Sequence, residues 1–239
     1  MTFQSADAAD ATGDRNKVDE GALADCALKA AEPHQSHDGA AARSESLASG
    51  SAAGLPFEGL MPLSYDVIVC DPPWRFRTWG EHNQAKSASR HYALMQTDEI
   101  KALPVGSLAQ RDCILLLWAT GAMLPVAFDA MAAWGFTYKS MMVWRKLTPS
   151  GKVRMGTGYW ARSMHEPVLI GSIGKPGKFS AFPSLFDGIA REHSRKPEEF
   201  YALVAKHTVG LRRADLFSRT ERIGWESWGN ETGKFAGAA

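Results

Sequence analysis

The sequence predicts an α/β fold built on a mostly parallel twisted sheet with helices on both faces. Residues 65–70 and 113–118 are nearly uninterrupted apolar runs rich in branched side chains, the pattern of strands buried on both sides. Helical stretches lie between such runs, which is the alternation that builds parallel sheets. Of the 239 residues 45% are hydrophobic, including eight Trp and eleven Phe, enough to fill a core between the layers.

The elements follow in order. Residues 65–70 form the first strand, and Pro72 and Pro73 end it. A polar, basic loop over 71–93 precedes a helix capped by Thr97, with Asp98 and Glu99 in a first turn that favours negative charge. The second strand, 113–118, leads to Thr120 as the cap of a helix running to about residue 134, where Gly135 stops it. Residues 136–144 and 166–173 form the third and fourth strands, separated by a Gly/Lys/Arg-rich loop. A helix starting at Pro197 runs to about residue 207, and 213–217 and 225–228 supply the last strands. A ligand of such a sheet is expected at the carboxyl ends of its strands.

The chain divides in two. Residues 1–56 hold nine acidic against four basic residues, one aromatic, and mostly Ala, Ser, Gly and Asp. They are expected to be a disordered acidic tail, with residues 57–239 as the folded domain. Cys26, Cys70 and Cys113 are widely spaced, which argues against a disulfide framework or a thiolate zinc site and for a reducing, cytoplasmic setting. Nothing resembles a membrane span or a secretory leader. His82, His91, His165, His193 and His207 show no metal-ligand spacing, so no metal is expected.

Asp71-Pro72-Pro73-Trp74 sits at the mouth of the first strand. It combines a carboxylate, two residues without backbone N–H, and a flat aromatic. Acceptors from Asp71 and the Pro72 carbonyl suit a planar ring carrying two N–H donors, such as the amino group of adenine, with Trp74 as a stacking face. A plain turn with Trp74 in the core is the alternative.

Asp71-Pro72-Pro73-Trp74 resembles the catalytic motif of adenine-N6 methyltransferases, the family of the eukaryotic mRNA adenosine methyltransferase and its bacterial relatives. Further segments follow in the family's order: Leu115 to Thr120, Trp134-Gly-Phe, Met142 to Lys146, His165 to Gly171, Ser194 to Pro197, Asp215 to Arg219, and Trp228 to Glu231. The resemblance spans about residues 62–232 and implies a Rossmann-like methyltransferase fold with permuted motif order. It implies S-adenosylmethionine as cofactor, with Asp71, Asp215, Phe217, Arg219, Asn230 and Glu231 binding it. Asp71, Pro72, Pro73 and Trp74 would be catalytic, and Trp74, Arg75, Tyr92 and Lys146 would meet the substrate. The chain departs from the family where Leu216 to Arg219 lacks a glycine, where Glu221 and Arg222 replace a ribose-binding pair, and where Ile173 replaces a lysine. For Asp215, pairing with Arg212 or Arg213 is an equally open reading.

Basic residues gather in two loops, Arg75, Arg77, Lys86 and Arg90 in one and Arg145, Lys146, Lys152, Arg154 and Arg162 in the other. Trp79, Tyr159 and Trp160 lie among them, a composition suited to following phosphates and stacking bases. The expected function is transfer of a methyl group to the N6 amino group of adenine in nucleic acid, single-stranded or with the base flipped, DNA favoured over RNA. A non-catalytic nucleic-acid-binding subunit and a protein-amide N-methyltransferase are the alternatives.

Overall fold

The structure is a computed structural model that describes residues 56–74, 95–158, 160–177, 179–192 and 194–234. The expected acidic tail therefore lies outside the described residues except for Pro56. In chain order the elements are β1 (Tyr65–Cys70), α1 (Thr97–Ala102), β2 (Ala109–Trp118), α2 (Leu124–Ala133), β3 (Thr137–Leu147), β4 (His165–Ile173), β5 (Leu185–Ile189), α3 (Glu198–His207), β6 (Arg213–Leu216) and β7 (Glu226–Trp228). The strands form one sheet in the order β5-β3-β4-β2-β1-β6-β7.

Pairing is parallel between β1 and β2, β1 and β6, β3 and β5, and β6 and β7. β4 alone is reversed, antiparallel to both β2 and β3. The sheet is thus mostly parallel and Rossmann-like, as expected. The reversal has a consequence for function. It brings the amino end of β4, at His165 and Glu166, to the same edge as the carboxyl ends of the other strands.

Alternation along the strands sorts the core into two layers. Ile68, Cys70, Leu115 and Leu117 pack with Ile100 of α1 and Ala127, Ala130 and Met131 of α2. Val67, Val69, Ile114, Leu116 and Trp118 pack on the other face with Phe200, Tyr201 and Val204 of α3. Helices therefore cover both faces.

Several boundaries differ from the sequence reading for local reasons. Gln96, not Thr97, caps α1, and Glu99 Oε2 reaches back to accept the Gln96 N–H at 2.7 Å. A short 3₁₀ turn at Gly121–Met123 intervenes between Thr120 and α2. β5 was not expected, because five residues interrupted by Asp187 and Gly188 carry little strand signal. It is held by β3 and by the Trp144 indole, which donates to the Gly188 carbonyl at 2.9 Å.

Candidate active site at the carboxyl edge of the sheet

β1 is buried along nearly its whole length and delivers Asp71 to the sheet edge, where the Asp71 N–H meets the Leu216 carbonyl at 3.3 Å. The Asp71 side chain keeps 25% of its surface exposed, so the carboxylate reaches solvent beside a packed core. Pro72, itself buried, and half-buried Pro73 follow, and each carbonyl already accepts one bond. The Pro72 carbonyl takes the Trp74 N–H at 2.8 Å and the Pro73 carbonyl takes the Met95 N–H at 3.2 Å. Each oxygen retains one lone pair for another donor.

Trp74 differs from the expected open stacking face. It is 5% exposed and sits in the core layer with Ile68, Cys70 and Leu117. Its indole N–H donates to the Trp118 carbonyl at 2.9 Å, tying the turn to the end of β2. The large apolar ring is better buried than left beside water, and the carbonyl satisfies its one polar atom. Arg75 and Tyr92 lie outside the described residues.

Two residues the sequence reading missed complete the charge arrangement. Lys196 Nζ lies 3.0 Å from Asp71 Oδ1 and 3.3 Å from Glu166 Oε2, and over the Trp118 ring at 5.0 Å. Lys146 Nζ lies 2.5 Å from Glu166 Oε1. Lys146, expected at the substrate, is therefore a 21%-exposed partner of Glu166. Neighbouring Arg145 pairs through two bonds of 2.6 Å with Asp187. Burial pushes the Asp71 carboxyl above its ordinary range, opposed by the Lys196 ammonium. Burial acts the same way on Glu166, but the two ammonium groups outweigh it and hold that carboxyl below its ordinary range. The available signal for Lys196 and Glu166 was their presence in the resembling segments; their meeting depends on the reversed β4.

One strand away, β6 ends in a tight turn. Phe217 has φ +62°, the left-handed conformation usually left to glycine, so the turn keeps its shape without the glycine its sequence lacks. The Phe217 ring packs edge-on against Trp228 at 5.2 Å. Gly229 permits the close approach of β7, since a Cβ there would meet the Ser218 carbonyl at 2.6 Å.

The resemblance implies Asp215 at the cofactor, with pairing to Arg212 or Arg213 as the equally open reading. Asp215 is 1% exposed and accepts from Ser218 Oγ at 2.7 Å and from Arg222 Nη1 at 3.2 Å. Neither Arg212 nor Arg213 pairs with it: Arg212 bonds Glu226, and Arg213 bonds Thr208. Burial raises the Asp215 carboxyl to about 6 despite these donors. Arg222 also forks onto Glu198 at 2.9 and 3.0 Å and lies 3.5 Å over the Tyr201 ring. Asp215 and Arg222 thus brace the turn from within and tie it to α3.

Arg219 and Glu231 meet at 3.2 Å beside exposed Asn230. Glu231 Oε2, the oxygen that faces Arg219 Nε, is buried, and Oε1 accepts from Lys234 Nζ at 2.6 Å; each keeps a further lone pair for a hydroxyl donor. Asp71, Lys196, Phe217, Arg219, Asn230 and Glu231 thus offer an anion, a cation, an aromatic ring and sugar-type acceptors along one edge. That set fits a ligand carrying an ammonium, a carboxylate, a ribose and a purine. Among the described residues no group of three or more His, Cys, Asp or Glu could hold a metal ion, and no helix is long and apolar enough to cross a membrane.

The mostly parallel sheet with helices on both faces is the Rossmann-like fold of the methyltransferase class. The chain belongs to the MT-A70 family, whose model matches residues 65–231. It is similar to the type II methyltransferase M.MunI of Mycoplasma sp., 28% identical over 194 residues that cover 73% of this chain and 81% of that protein. It is 30% identical over 173 residues to the N(6)-adenosine-methyltransferase MT-A70-like protein of Arabidopsis thaliana, covering 70% of this chain and 24% of that protein. It is 28% identical over 173 residues to the human N(6)-adenosine-methyltransferase catalytic subunit METTL3, covering 70% of this chain and 28% of that protein. The chain therefore spans about a quarter of the length of these plant and human relatives.

Proposed function

We propose that the protein methylates the N6 amino group of adenine in nucleic acid, with S-adenosylmethionine as donor. The observation that carries this reading is the Asp71 carboxylate, held at the mouth of β1 by Lys196 and facing solvent beside the Pro72 carbonyl. An aromatic amine is a poor nucleophile because its lone pair is delocalised. Two acceptors on its hydrogens orient that lone pair and favour the positive charge that grows on nitrogen. Asp71 is one acceptor and the remaining lone pair of the Pro72 carbonyl is the other. The new methylamine sheds its proton readily to water, so no strong general base is needed.

The donor, when bound, supplies a methyl group activated by a positively charged sulfur. Asp71 would hold its ammonium and Lys196 its carboxylate, while Phe217 packs beside the nucleoside and Asn230 and Glu231 accept its hydroxyl and amino donors. Arg219 orients Glu231. Asp215 acts at one remove, by fixing the turn that carries Phe217. Trp74 forms the wall behind the amine and sets the position of Pro72.

DNA is the first substrate to try. The chain spans 81% of the bacterial type II methyltransferase but only about a quarter of the longer adenosine methyltransferases. The test is incubation with methyl-labelled S-adenosylmethionine and separate DNA and RNA pools, followed by nucleoside analysis. The label is expected in N6-methyladenine from DNA, and it is expected to vanish in folded Asp71→Ala. Label in no adenine, or unchanged transfer by that variant, would overturn the reading.

A further inference from the structure

We infer that the hairpin between β3 and β4 is a nucleic-acid finger whose Trp160 stacks on an unpaired base next to the target. This rests on the proposed function and goes beyond it by assigning a polynucleotide contact outside the pocket.

Trp160 is 95% exposed, an unusual place for the largest apolar side chain. The loop that presents it is built rather than slack. Its base is closed by Thr148 N–H to the Lys152 carbonyl at 2.8 Å and Arg154 N–H to the Lys146 carbonyl at 2.8 Å. Its tip is closed by Gly156 N–H to the Ser163 carbonyl at 2.6 Å and Ser163 N–H to the Thr157 carbonyl at 3.0 Å. Gly156 and Gly158 allow the tip to close this tightly, because a Cβ at Gly156 would meet the Ser163 carbonyl at 2.6 Å and one at Gly158 would collide with the Ala161 carbonyl. Arg154 anchors the hairpin to the chain beyond β5, donating to the Ala190 carbonyl at 3.1 Å.

The charge of the loop selects the kind of partner. Residues 148–164 contain Lys152, Arg154 and Arg162 and no acidic residue, and all three are exposed. An exposed indole among cations, in a loop whose sequence has no acidic residue, suits an unpaired strand, whose bases offer flat faces and whose phosphates offer negative charge. A neutral apolar partner would gain nothing from the arginines. The position fits as well: the hairpin leaves β3 and enters β4 at the edge that carries Asp71 and Glu166.

The test uses the full chain and a fluorescein-labelled single-stranded oligonucleotide with one adenine. Its Kd is read by anisotropy over a range of salt, with KM values for the oligonucleotide and the cofactor. Trp160→Ala is expected to raise Kd and KM for the oligonucleotide about 10- to 100-fold, the range for loss of one stacked base. The cofactor KM stays within about twofold, and Trp160→Phe recovers most of the loss. Arg162→Ala should lower the slope of log Kd against log salt by about 0.7, whereas Trp160→Ala should leave it unchanged. Unchanged oligonucleotide affinity in Trp160→Ala overturns the inference even where the wild type methylates adenine. So does a change in sedimentation that traces Trp160 to a contact between protein copies. The anisotropy arm needs no methyl transfer, so failure of the finger is distinguishable from failure of the proposed reaction.

Discussion

Lys196 stands 3.0 Å from Asp71, and it makes the carboxylate at the mouth of β1 electrostatically tolerable. Glu166 lies on the far side of the same ammonium at 3.3 Å, so one cation separates two carboxylates. Without it, two negative groups would share one partly buried corner and raise each other's affinity for protons. Lys196→Met is therefore expected to move the Asp71 titration upward and to lower kcat/KM at neutral pH by about a hundredfold. Activity should recover partly as the pH is raised and Asp71 ionises again. The pH–rate profile checks this, and an equal loss at every pH would assign Lys196 to ligand binding alone.

Trp74 is built as a structural member. A 5%-exposed indole with its N–H on the Trp118 carbonyl implies that Trp74→Ala destabilises the fold by about 3–5 kcal/mol in urea unfolding. Trp74→Phe keeps most of the packing and should cost about 1–2 kcal/mol, chiefly through the unmet Trp118 carbonyl. An exposed stacking residue would change stability by less than about 0.5 kcal/mol in either variant.

Asp215 makes stability depend on pH in a defined direction. Its carboxyl is held at about 6 in the fold against an ordinary 3.8. Between those values the folded chain holds a proton that the unfolded chain has released, so this contribution grows as the pH falls through the window. It is lost as the pH rises through 6, by on the order of 3 kcal/mol in all. Asp215→Asn removes the titration. The Tm of the variant minus that of the wild type should therefore be more positive at about pH 8 than at about pH 4.5. A difference independent of pH would show that Asp215 is ionised throughout.

Arg222 serves Glu198 and Asp215 together, with its guanidinium against Tyr201. Arg222→Ala leaves both carboxylates without that donor and should destabilise by about 3 kcal/mol. Because the same arginine braces the left-handed turn at Phe217, the cofactor KM should rise about tenfold in protein that remains folded. Arg222→Lys should rescue little, since an ammonium cannot replace the planar fork. Isothermal titration with the cofactor, alongside unfolding, checks both effects.

The strands of the central core were readable because they are strongly apolar and lie between clear breakers, as with residues 65–70 before Pro72. Asp71 was readable because a carboxylate after such a strand has only one sensible place to go. Helix α3 was readable from Pro197 and the two glutamates after it. β5 was hidden by its shortness, and the α1 cap was misplaced by one residue because Gln96 carries a weaker signal than Thr97. For Asp215 the resemblance implies cofactor binding, and the sequence does not say which way a side chain near the end of β6 turns.

What the sequence determined alone was therefore local and periodic: the α/β alternation, the strand that ends at Asp71, and the cation-rich loop around Trp160. Pairing across long separations was settled by the folded sheet. The reversal of β4 brings Glu166 to Lys196 and Lys146. The burial of Trp74 against Trp118 and the inward turn of Asp215 onto Arg222 are likewise contacts between separate elements. Periodicity reports which face of an element is apolar, whereas the partner of a buried charge depends on where the whole sheet carries it.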